Sequence, residues 1–317
     1  MSMQSARRFC ERFGLRAPIL LAPMAGVPAP MLSVAVANAG GAGACGALLM
    51  KPDEIVAWVR SVRAQRGGPL QLNLWTPDPP PMRDAAHEAR LRAFLASFGP
   101  DVPASAGDST PPDFAAQCDA LIECKPEIAS SVMGLFDPAF VARLKAVGIA
   151  WFATASTLRE AIAAEAAGAD AIIAQGAEAG GHRAAFDAQR AERELVGLFS
   201  LLPAIADAVR VPVIATGGIA DGRGVAAALT LGASAVQVGT AFLRCPEAQI
   251  PAAWADALAR TQPEDTRVSR VFSGRAGRSI ATRYVEAATA PDAPPPAPYP
   301  VQRGLTAAMR AQAASSG

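Results

Sequence analysis

Short apolar runs alternate with longer, alanine-rich segments of helical period along most of the chain. Eight of these runs have the length and character of buried strands, and they cover residues 18–22, 43–47, 70–75, 128–133, 149–154, 169–175, 212–215 and 235–238. Segments typical of helices lie between most of them, at 30–39, 52–65, 138–146, 157–167, 193–209 and 221–231. Strands that alternate with helices form a parallel sheet, and eight such units close a TIM (β/α)8 barrel. We therefore predict a protein of the α/β class with this barrel.

Two segments interrupt the alternation. Residues 77–125 follow the third predicted strand and combine proline-rich loops with polar helical stretches, which is typical of an insertion or a lid. Residues 246–317 are predicted to form a helical C-terminal extension with a Gly/Arg-rich loop at 273–278 and a proline-rich, extended stretch at 291–300. The barrel is then expected to comprise residues 14–76 and 126–245.

The composition narrows the class of function. The 317 residues carry 29 Lys and Arg against 28 Asp and Glu, so the formal net charge is only +1. This balance argues against a nucleic-acid partner, which requires a basic face. Although 51% of the residues are hydrophobic, no apolar stretch reaches the roughly 18 residues that span a bilayer. The first 14 residues lack the apolar core of a signal peptide, so we expect a cytoplasmic protein without a membrane partner.

The cysteines are scattered. They stand at positions 10, 45, 118, 124 and 245 and form no CxxC pair. An odd number of separated cysteines indicates reduced thiols in a reducing compartment. No histidine lies near Cys118 or Cys124 at the spacing of a zinc site, so no metal is predicted.

Glycines at the ends of the last two predicted strands indicate a phosphate site. The residues of these two strand ends are Gly217, Gly218, Gln237, Val238, Gly239 and Thr240. Glycine lets backbone amides approach an anion closely, and the N-terminus of a following helix adds partial positive charge. In TIM barrels the phosphate site often follows strands seven and eight. The alternative is that these glycines only form the tight turns that any such barrel needs.

The segment after the sixth predicted strand, 174–182, contains several small residues. They leave a flat surface of backbone that suits an aromatic ring system, and the amide of Gln175 could bind that ring. His182 ends the segment and can act as an acid, a base or a neutral hydrogen-bond donor near neutral pH. The other histidine, His87, lies in a charged helical stretch and is interpreted as a solvated residue.

Two further segments contribute candidates. Pro23 and Met24 follow the first strand, in a loop whose backbone would line the site. Asn73 alternates with apolar neighbours on the third strand, so its side chain is expected to point to the barrel top or interior. A buried asparagine requires hydrogen-bond partners, which either a ligand or the neighbouring backbone can supply.

These four segments together resemble the nitronate monooxygenase family over residues 18–243. The resemblance implies a TIM barrel that binds FMN non-covalently at the carboxyl ends of its strands. It implies that the backbone of Pro23 and Met24 lies near the flavin ring. It also implies that Asn73 and Gln175 hydrogen-bond the flavin or its ribityl chain.

The same resemblance assigns the remaining candidates. Gly180 and Gly181 would pack near the ring and the phosphate, and His182 would face the substrate. The phosphate would be held by Gly217, Gly218, Gln237, Val238, Gly239 and Thr240.

One region departs from the family pattern. Many relatives carry a histidine after the fourth strand in a Ser-Phe-His-Phe-Gly-like motif, where this chain has Ser130-Ser131-Val132-Met133-Gly134. Other relatives place a basic histidine on the fifth strand, where this chain has Trp151-Phe152-Ala153. The apolar residues Val132, Met133 and Trp151 are therefore predicted to line a hydrophobic substrate. Only His182 remains for acid or base chemistry.

The sequence thus predicts an FMN-dependent oxidoreductase that oxidises an alkyl nitronate with dioxygen to a carbonyl compound and nitrite. A nitronate is already an anion and needs no base. One alternative is a flavin-dependent NAD(P)H reductase of an enoyl thioester or a quinone, since similar enzymes include flavin-dependent enoyl-acyl-carrier-protein reductases. A second is a phosphosugar lyase or isomerase on the same barrel, for which Glu178 is the nearby acid.

Overall fold

A computed structural model describes residues 2–27, 29–65 and 68–316. The chain forms two compact units. The first unit holds the chain up to Pro77 together with Pro112–Ala179 and Ala184–Gln249. The second unit holds Asp78–Pro111, Gly180–Arg183 and the chain from Ile250 onward.

The first unit is built on eight parallel strands that form a nearly closed barrel, as predicted. The strands are β1 (Ile19–Leu21), β2 (Gly43–Gly46), β3 (Leu70–Trp75), β4 (Ile128–Val132), β5 (Ala150–Ala155), β6 (Ala171–Gln175), β8 (Val213–Thr216) and β9 (Ala235–Val238), with β7 (Gly181–His182) in the second unit. Their spatial order is β1-β9-β8-β6-β5-β4-β3-β2. The backbone amide of Leu21 donates to the carbonyl of Ala42 over 2.9 Å and so links the two ends of the sheet.

Helices connect these strands. In the first unit they are α1 (Ser2–Phe13), α2 (Pro30–Asn38), α3 (Pro52–Ala64), α5 (Phe114–Cys124), α6 (Pro138–Ala146), α7 (Leu158–Ala166), α8 (Leu198–Ala208) and α9 (Gly222–Thr230); α4 (Ala85–Leu95) belongs to the second unit. Side-chain caps fix the N-termini of several helices. At the start of α6, for example, the Asp137 carboxylate accepts from the amide of Ala139 over 2.8 Å. None of the helices in the described ranges combines the length and hydrophobicity needed to cross a bilayer.

The barrel floor is apolar. Alternate residues of the strands, among them Leu20, Ile128 and Phe152, form one buried cluster with α1. Phe13 of α1 meets Phe152 edge-to-face with ring centroids 5.2 Å apart. The other alternate residues pack outward against the helices in a larger cluster. The amino ends of the strands are therefore closed by α1, an element that the hydrophobic pattern did not predict.

The predicted helix at 193–209 begins later than expected. It starts at Leu198, and Gly197 is its N-cap. The two carboxylate oxygens of Glu178 accept from the amide of Leu198 over 2.9 and 3.0 Å. This capping by a residue distant in sequence fixes the start, which the charged residues before Gly197 did not reveal.

The second unit combines helices with a small antiparallel sheet. Its strands β7, β10 (Thr266–Ser269) and β11 (Gly277–Ile280) lie in the order β10-β11-β7. Its helices besides α4 are α10 (Ala252–Arg260), α11 (Arg283–Ala288), α12 (Val301–Leu305) and α13 (Ala307–Ser316). The expected helical extension thus also contains a hairpin, and the Gly/Arg-rich segment 273–278 includes the end of the connecting loop and the first two residues of β11.

Candidate active site

A polar layer lies above the apolar floor of the barrel, toward the carboxyl ends of the strands. Strand alternation turns Gln71 and Asn73 inward, because Leu70, Leu72 and Leu74 pack in the outer cluster. The buried polar residues at inward positions are Gln71, Asn73, Ser130, Thr154, Gln175, Thr216 and Gln237. Active sites of TIM barrels form at this end of the strands.

Asn73 receives its partners from the neighbouring strand. Its Nδ2 donates to the carbonyl oxygen of Ser130 over 3.2 Å and to Ser130 Oγ over 3.0 Å. Gln71 Nε2 donates to the same Oγ over 2.8 Å and to Gln237 Oε1 over 3.2 Å. Protein groups therefore satisfy the amide hydrogens of Asn73, which leaves its Oδ1 as the atom for a ligand. Gln71 and Ser130 were not among the predicted site residues, although Gln71 shares the inward period of Asn73.

Gln175 is also held by the backbone. The amide of Ala184 donates to Gln175 Oε1 over 2.8 Å, and the side chain is buried. Thr216 Oγ1 donates to the carbonyl of Gln237 over 2.9 Å. These contacts fix the orientation of the polar layer before any ligand binds.

The glycines after β8 adopt left-handed backbone conformations. The φ angles are +111° at Gly217 and +69° at Gly218. A Cβ at Gly217 would lie 2.9 Å from the backbone nitrogen of Ala179, so a side chain does not fit there. In the described part of the chain, the backbone amides of Gly217, Gly218, Gly239 and Thr240 donate no hydrogen bond. These amides lie at half-buried or exposed positions, which is the arrangement of an anion cradle.

The helix after β8 begins with a carboxylate cap. Asp221 is the N-cap of α9, and its Oδ1 accepts from the amides of Arg223 and Gly224 over 2.9 and 3.2 Å. The amides of Arg223 and Gly224 are therefore already paired with a carboxylate, and a contribution of this N-terminus to a phosphate site stays a prediction. The loop amides before the helix remain.

The loop after β1 lies against two other strand ends. A Cβ at Gly46 would lie 2.7 Å from the backbone nitrogen of Ala25 and 3.0 Å from the carbonyl carbon of Met24. A Cβ at Gly239 would lie 3.6 Å from Met24 Sδ. The Pro23-Met24 segment is thus brought next to Gly239, one of the predicted phosphate residues. The absence of a side chain at Gly46 lets the backbone of Met24 and Ala25 pack against the end of β2. Gly46 was not among the predicted site residues.

The predicted substrate-lining residues divide into two groups. Val132 is half-buried at the end of β4, and Met133 follows with a φ of +69°, a costly conformation for a residue with a side chain. Trp151 is fully buried in the outer cluster, where its ring stacks on Phe136 at 5.7 Å. Its Nε1 donates to Ser131 Oγ over 3.1 Å.

The lining role predicted for Trp151 is therefore wrong. Strand alternation turns this side chain toward the helices rather than toward the barrel interior. The neighbouring Phe152 does face inward, but it lies in the floor against α1. Neither aromatic residue replaces the missing histidine at the mouth.

His182 lies in the second unit, on β7. It pairs with Gly277 of β11, and Gly181 pairs with Arg278. His182 Nε2 and Ser273 Oγ are joined by a hydrogen bond of 2.7 Å. Burial and, to a smaller extent, the positive charges of Arg275, Arg303 and Arg310 lower the pKa of His182 to about 4. The imidazole is therefore neutral at physiological pH.

A buried ion pair supports the loop that carries Ser273. Arg275 is 2% exposed, and its guanidinium forms a two-pronged contact with Asp78 in which Nε donates to Oδ2 over 2.8 Å. The second prong joins Nη2 to Oδ1. His87, in contrast, is half-buried on α4, where its Nε2 lies 2.8 Å from the carbonyl of Pro295. The expected solvated side chain is thus only partly exposed, and its ring contacts a backbone carbonyl.

The site residues predicted from the sequence are thus divided between the two units. The first unit brings Asn73, Gln175, Gln237 and the two glycine strand ends to the same end of one barrel. Gly180, Gly181 and His182 belong to the second unit, and both of these glycines are exposed.

The chain is similar to proteins of a known family. The family model described as nitronate monooxygenase matches residues 8–317. A nitronate monooxygenase of Paraburkholderia phytofirmans is 40% identical, covering 100% of this chain and 88% of the relative. One of Pseudomonas aeruginosa is 38% identical, covering 98% and 90%. The structure of nitroalkane oxidase from Streptomyces ansochromogenes aligns with a TM-score of 0.85 and 36% identity, covering 95% of this chain and 86% of that one.

Proposed function

The chain belongs to the nitronate monooxygenase family, and on this premise we propose that it oxidises small alkyl nitronates with dioxygen, using FMN. The family is flavin-dependent, and its members are oxidoreductases. The expected products are a carbonyl compound and nitrite. The observation that carries the proposal is the cradle of four backbone amides beside the polar layer of the barrel.

The residues of the first unit fit FMN. The amides of Gly217, Gly218, Gly239 and Thr240 offer four donors to a phosphate, and no Cβ obstructs the approach at the three glycines. We assign Gln237 and Val238, which precede this cradle, to the same phosphate-binding strand end.

The ring of the flavin would lie over the polar layer. We assign its contacts to Asn73 and Gln175, to the backbone of Pro23 and Met24 and, on the family pattern, to Gly180 and Gly181. When bound, the flavin supplies the redox chemistry that takes electrons from the substrate and passes them to dioxygen.

We assign His182 to binding of the nitronate. A histidine with a pKa of about 4 is a poor base at neutral pH, because the best general base titrates near the working pH. A nitronate is already deprotonated, so it needs a hydrogen-bonding group rather than a base. The positive charges of Arg303 and Arg310 near His182 favour an anion over a neutral nitroalkane.

Substrate size would be set by Val132 and Met133. Both are apolar side chains at the carboxyl end of β4, and Val132 stands where many relatives carry histidine. They exclude water and contact the alkyl group, and they offer no proton-accepting atom.

The alternatives have less support. For a lyase or isomerase, Glu178 would have to act as an acid, but its carboxylate caps the start of α8 through the amide of Leu198. A reductase would be recognised by its reaction with NADH or NADPH. A cytoplasmic location stays a prediction, drawn from the scattered, reduced cysteines.

The experiment begins with the visible spectrum of the pure protein, before and after incubation with FMN. Anaerobic addition of a propyl nitronate should bleach the flavin, whereas NADH and NADPH should not. Rapid bleaching by NADH or NADPH instead would favour the reductase, and a protein that binds no FMN would refute the proposed cofactor.

His182→Ala tests the assigned role, with His87→Ala as the matched control. We expect the first variant to lose nitronate turnover while retaining FMN, and the second to match the wild type. Full turnover by His182→Ala would show that the assignment is wrong.

A further inference from the structure

Ser130 connects the amide side chains of the polar layer. Its Oγ accepts from Asn73 Nδ2 over 3.0 Å and from Gln71 Nε2 over 2.8 Å. Asn73 and Ser130 stand opposite each other in the register of β3 and β4, and Ser130 is fully buried. Gln71 extends the connection to Gln237 on β9, a strand that is not adjacent to β3 in the sheet.

These contacts fix the orientation of Asn73. Its Nδ2 lies 3.2 Å from the backbone carbonyl oxygen of Ser130, which can only accept a hydrogen bond. Turning the amide over would bring Oδ1 against that carbonyl oxygen, with two acceptors in contact. Asn73 therefore has both amide hydrogens engaged by Ser130 and offers a ligand an acceptor only.

Gln237 has the complementary arrangement. Its Oε1 accepts from Gln71, and within the described ranges its Nε2 donates no hydrogen bond to another protein group. Gln237 consequently offers a ligand a donor. FMN carries hydrogen-bond donors and acceptors on its ring and ribityl chain and acceptors on its phosphate, so the acceptor at Asn73 and the donor at Gln237 can bind different parts of the cofactor.

We propose that Ser130 and Gln71 are positioning residues, which set Asn73 as the acceptor and Gln237 as the donor toward the bound cofactor. The inference rests on the proposed FMN site and adds to it two residues that do not themselves contact the flavin. Buried, connected polar groups of this kind hold a site in one geometry before binding.

The test is Ser130→Ala, with Ser131→Ala as its matched control. The two serines are adjacent on β4 and both are fully buried, but Ser131 faces the outer cluster and accepts from Trp151. Each substitution removes one hydroxyl from a buried site. FMN dissociation constants would be measured by quenching of flavin fluorescence, and the midpoint potential of the bound flavin by redox titration.

We expect Ser130→Ala to weaken FMN binding about tenfold, the effect of losing roughly one or two buried hydrogen bonds. The flavin potential should move toward that of free FMN. Ser131→Ala should leave both quantities at wild-type values even if its Tm falls. Ser130→Thr, which keeps the hydroxyl, should restore the affinity.

Equal affinity and equal potential in Ser130→Ala and the wild type would overturn the positioning role while leaving the FMN site intact. A wild type that does not bind FMN would overturn both. If Ser130→Ala does not fold, Gln71→Met carries the test, since it retains the contact of Ser130 with Asn73 and removes the amide that donates to Ser130 Oγ and Gln237 Oε1. An unchanged potential in a folded Gln71→Met protein would then contradict the proposal.

Discussion

Acidification is expected to destabilise the protein through His182. The imidazole has an ordinary pKa of 6.5 when exposed and a pKa of about 4 in the folded chain, because burial and nearby arginines disfavour its charged form. As the pH falls below 6.5, the unfolded chain binds a proton at this site and the folded chain does not. Folding stability is therefore complete above pH 6.5 and is lost progressively down to about pH 4.

The size of the effect follows from the shift in pKa. One pKa unit corresponds to about 1.4 kcal/mol, so lowering the pH from 7 to 4.5 should cost at most about 2.5 kcal/mol. His182 is half-buried as a residue, and screening by solvent makes this value an upper limit.

The assay compares urea unfolding of the wild type and His182→Gln at both pH values. Glutamine can keep a polar contact with Ser273 but does not titrate. The wild type should lose up to about 2.5 kcal/mol more than the variant. An NMR titration should show the His182 imidazole unprotonated at pH 5.5, with His87→Gln used to assign the two resonances. Parallel pH dependences of the two proteins, or a midpoint for His182 near pH 6.5, would refute the reasoning.

Three further substitutions test other parts of the structure. Gly217→Ala should reduce FMN affinity more than tenfold, because its Cβ would collide with backbone at 2.9 Å. The control Gly148→Ala, at φ +77° in open space, should cost about 1 kcal/mol of stability and leave FMN binding unchanged. Equal FMN affinities of the two variants would contradict the cradle. Asp78→Ala should lower stability by about 3 kcal/mol, measured by urea unfolding, because the buried guanidinium of Arg275 loses its carboxylate partner; a change below about 0.5 kcal/mol would contradict this. Trp151→Phe should lower the Tm but leave the KM for nitronates unchanged, and a raised KM with an unchanged Tm would return this residue to the substrate site.

Much of the barrel could be predicted because its signals are local. Each strand is a short apolar run, and the alternation of strands with helices specifies a parallel sheet whatever the distant contacts are. The N-terminal helix was missed since its apolar residues form a narrow stripe in a polar segment. Its burial depends on the barrel floor, which the local pattern does not contain.

The candidate site likewise has features that local sequence predicts and features that depend on distant contacts. The glycines after β8 and β9 indicated an anion cradle, because left-handed turns and close backbone approach require glycine wherever they occur. The paired amides at the start of α9 could not be foreseen in the same way, although Asp221 in that position is a typical N-cap. The side chain of Trp151 was assigned to the wrong face of β5. Every residue of this strand is buried, so its sequence shows no alternation of polar and apolar residues from which the inward face could be predicted.

The sequence by itself determined the eight βα units, the glycine strand ends and the family, because these depend on residue type and spacing along the chain. Only the tertiary structure decided that Ser130 takes both amide hydrogens of Asn73, and that Gln71 reaches Gln237 across the barrel. It also decided that burial and arginines keep His182 neutral. Hydrogen-bond partners and electrostatic environments arise between residues far apart in sequence, so they exist only once the chain has folded.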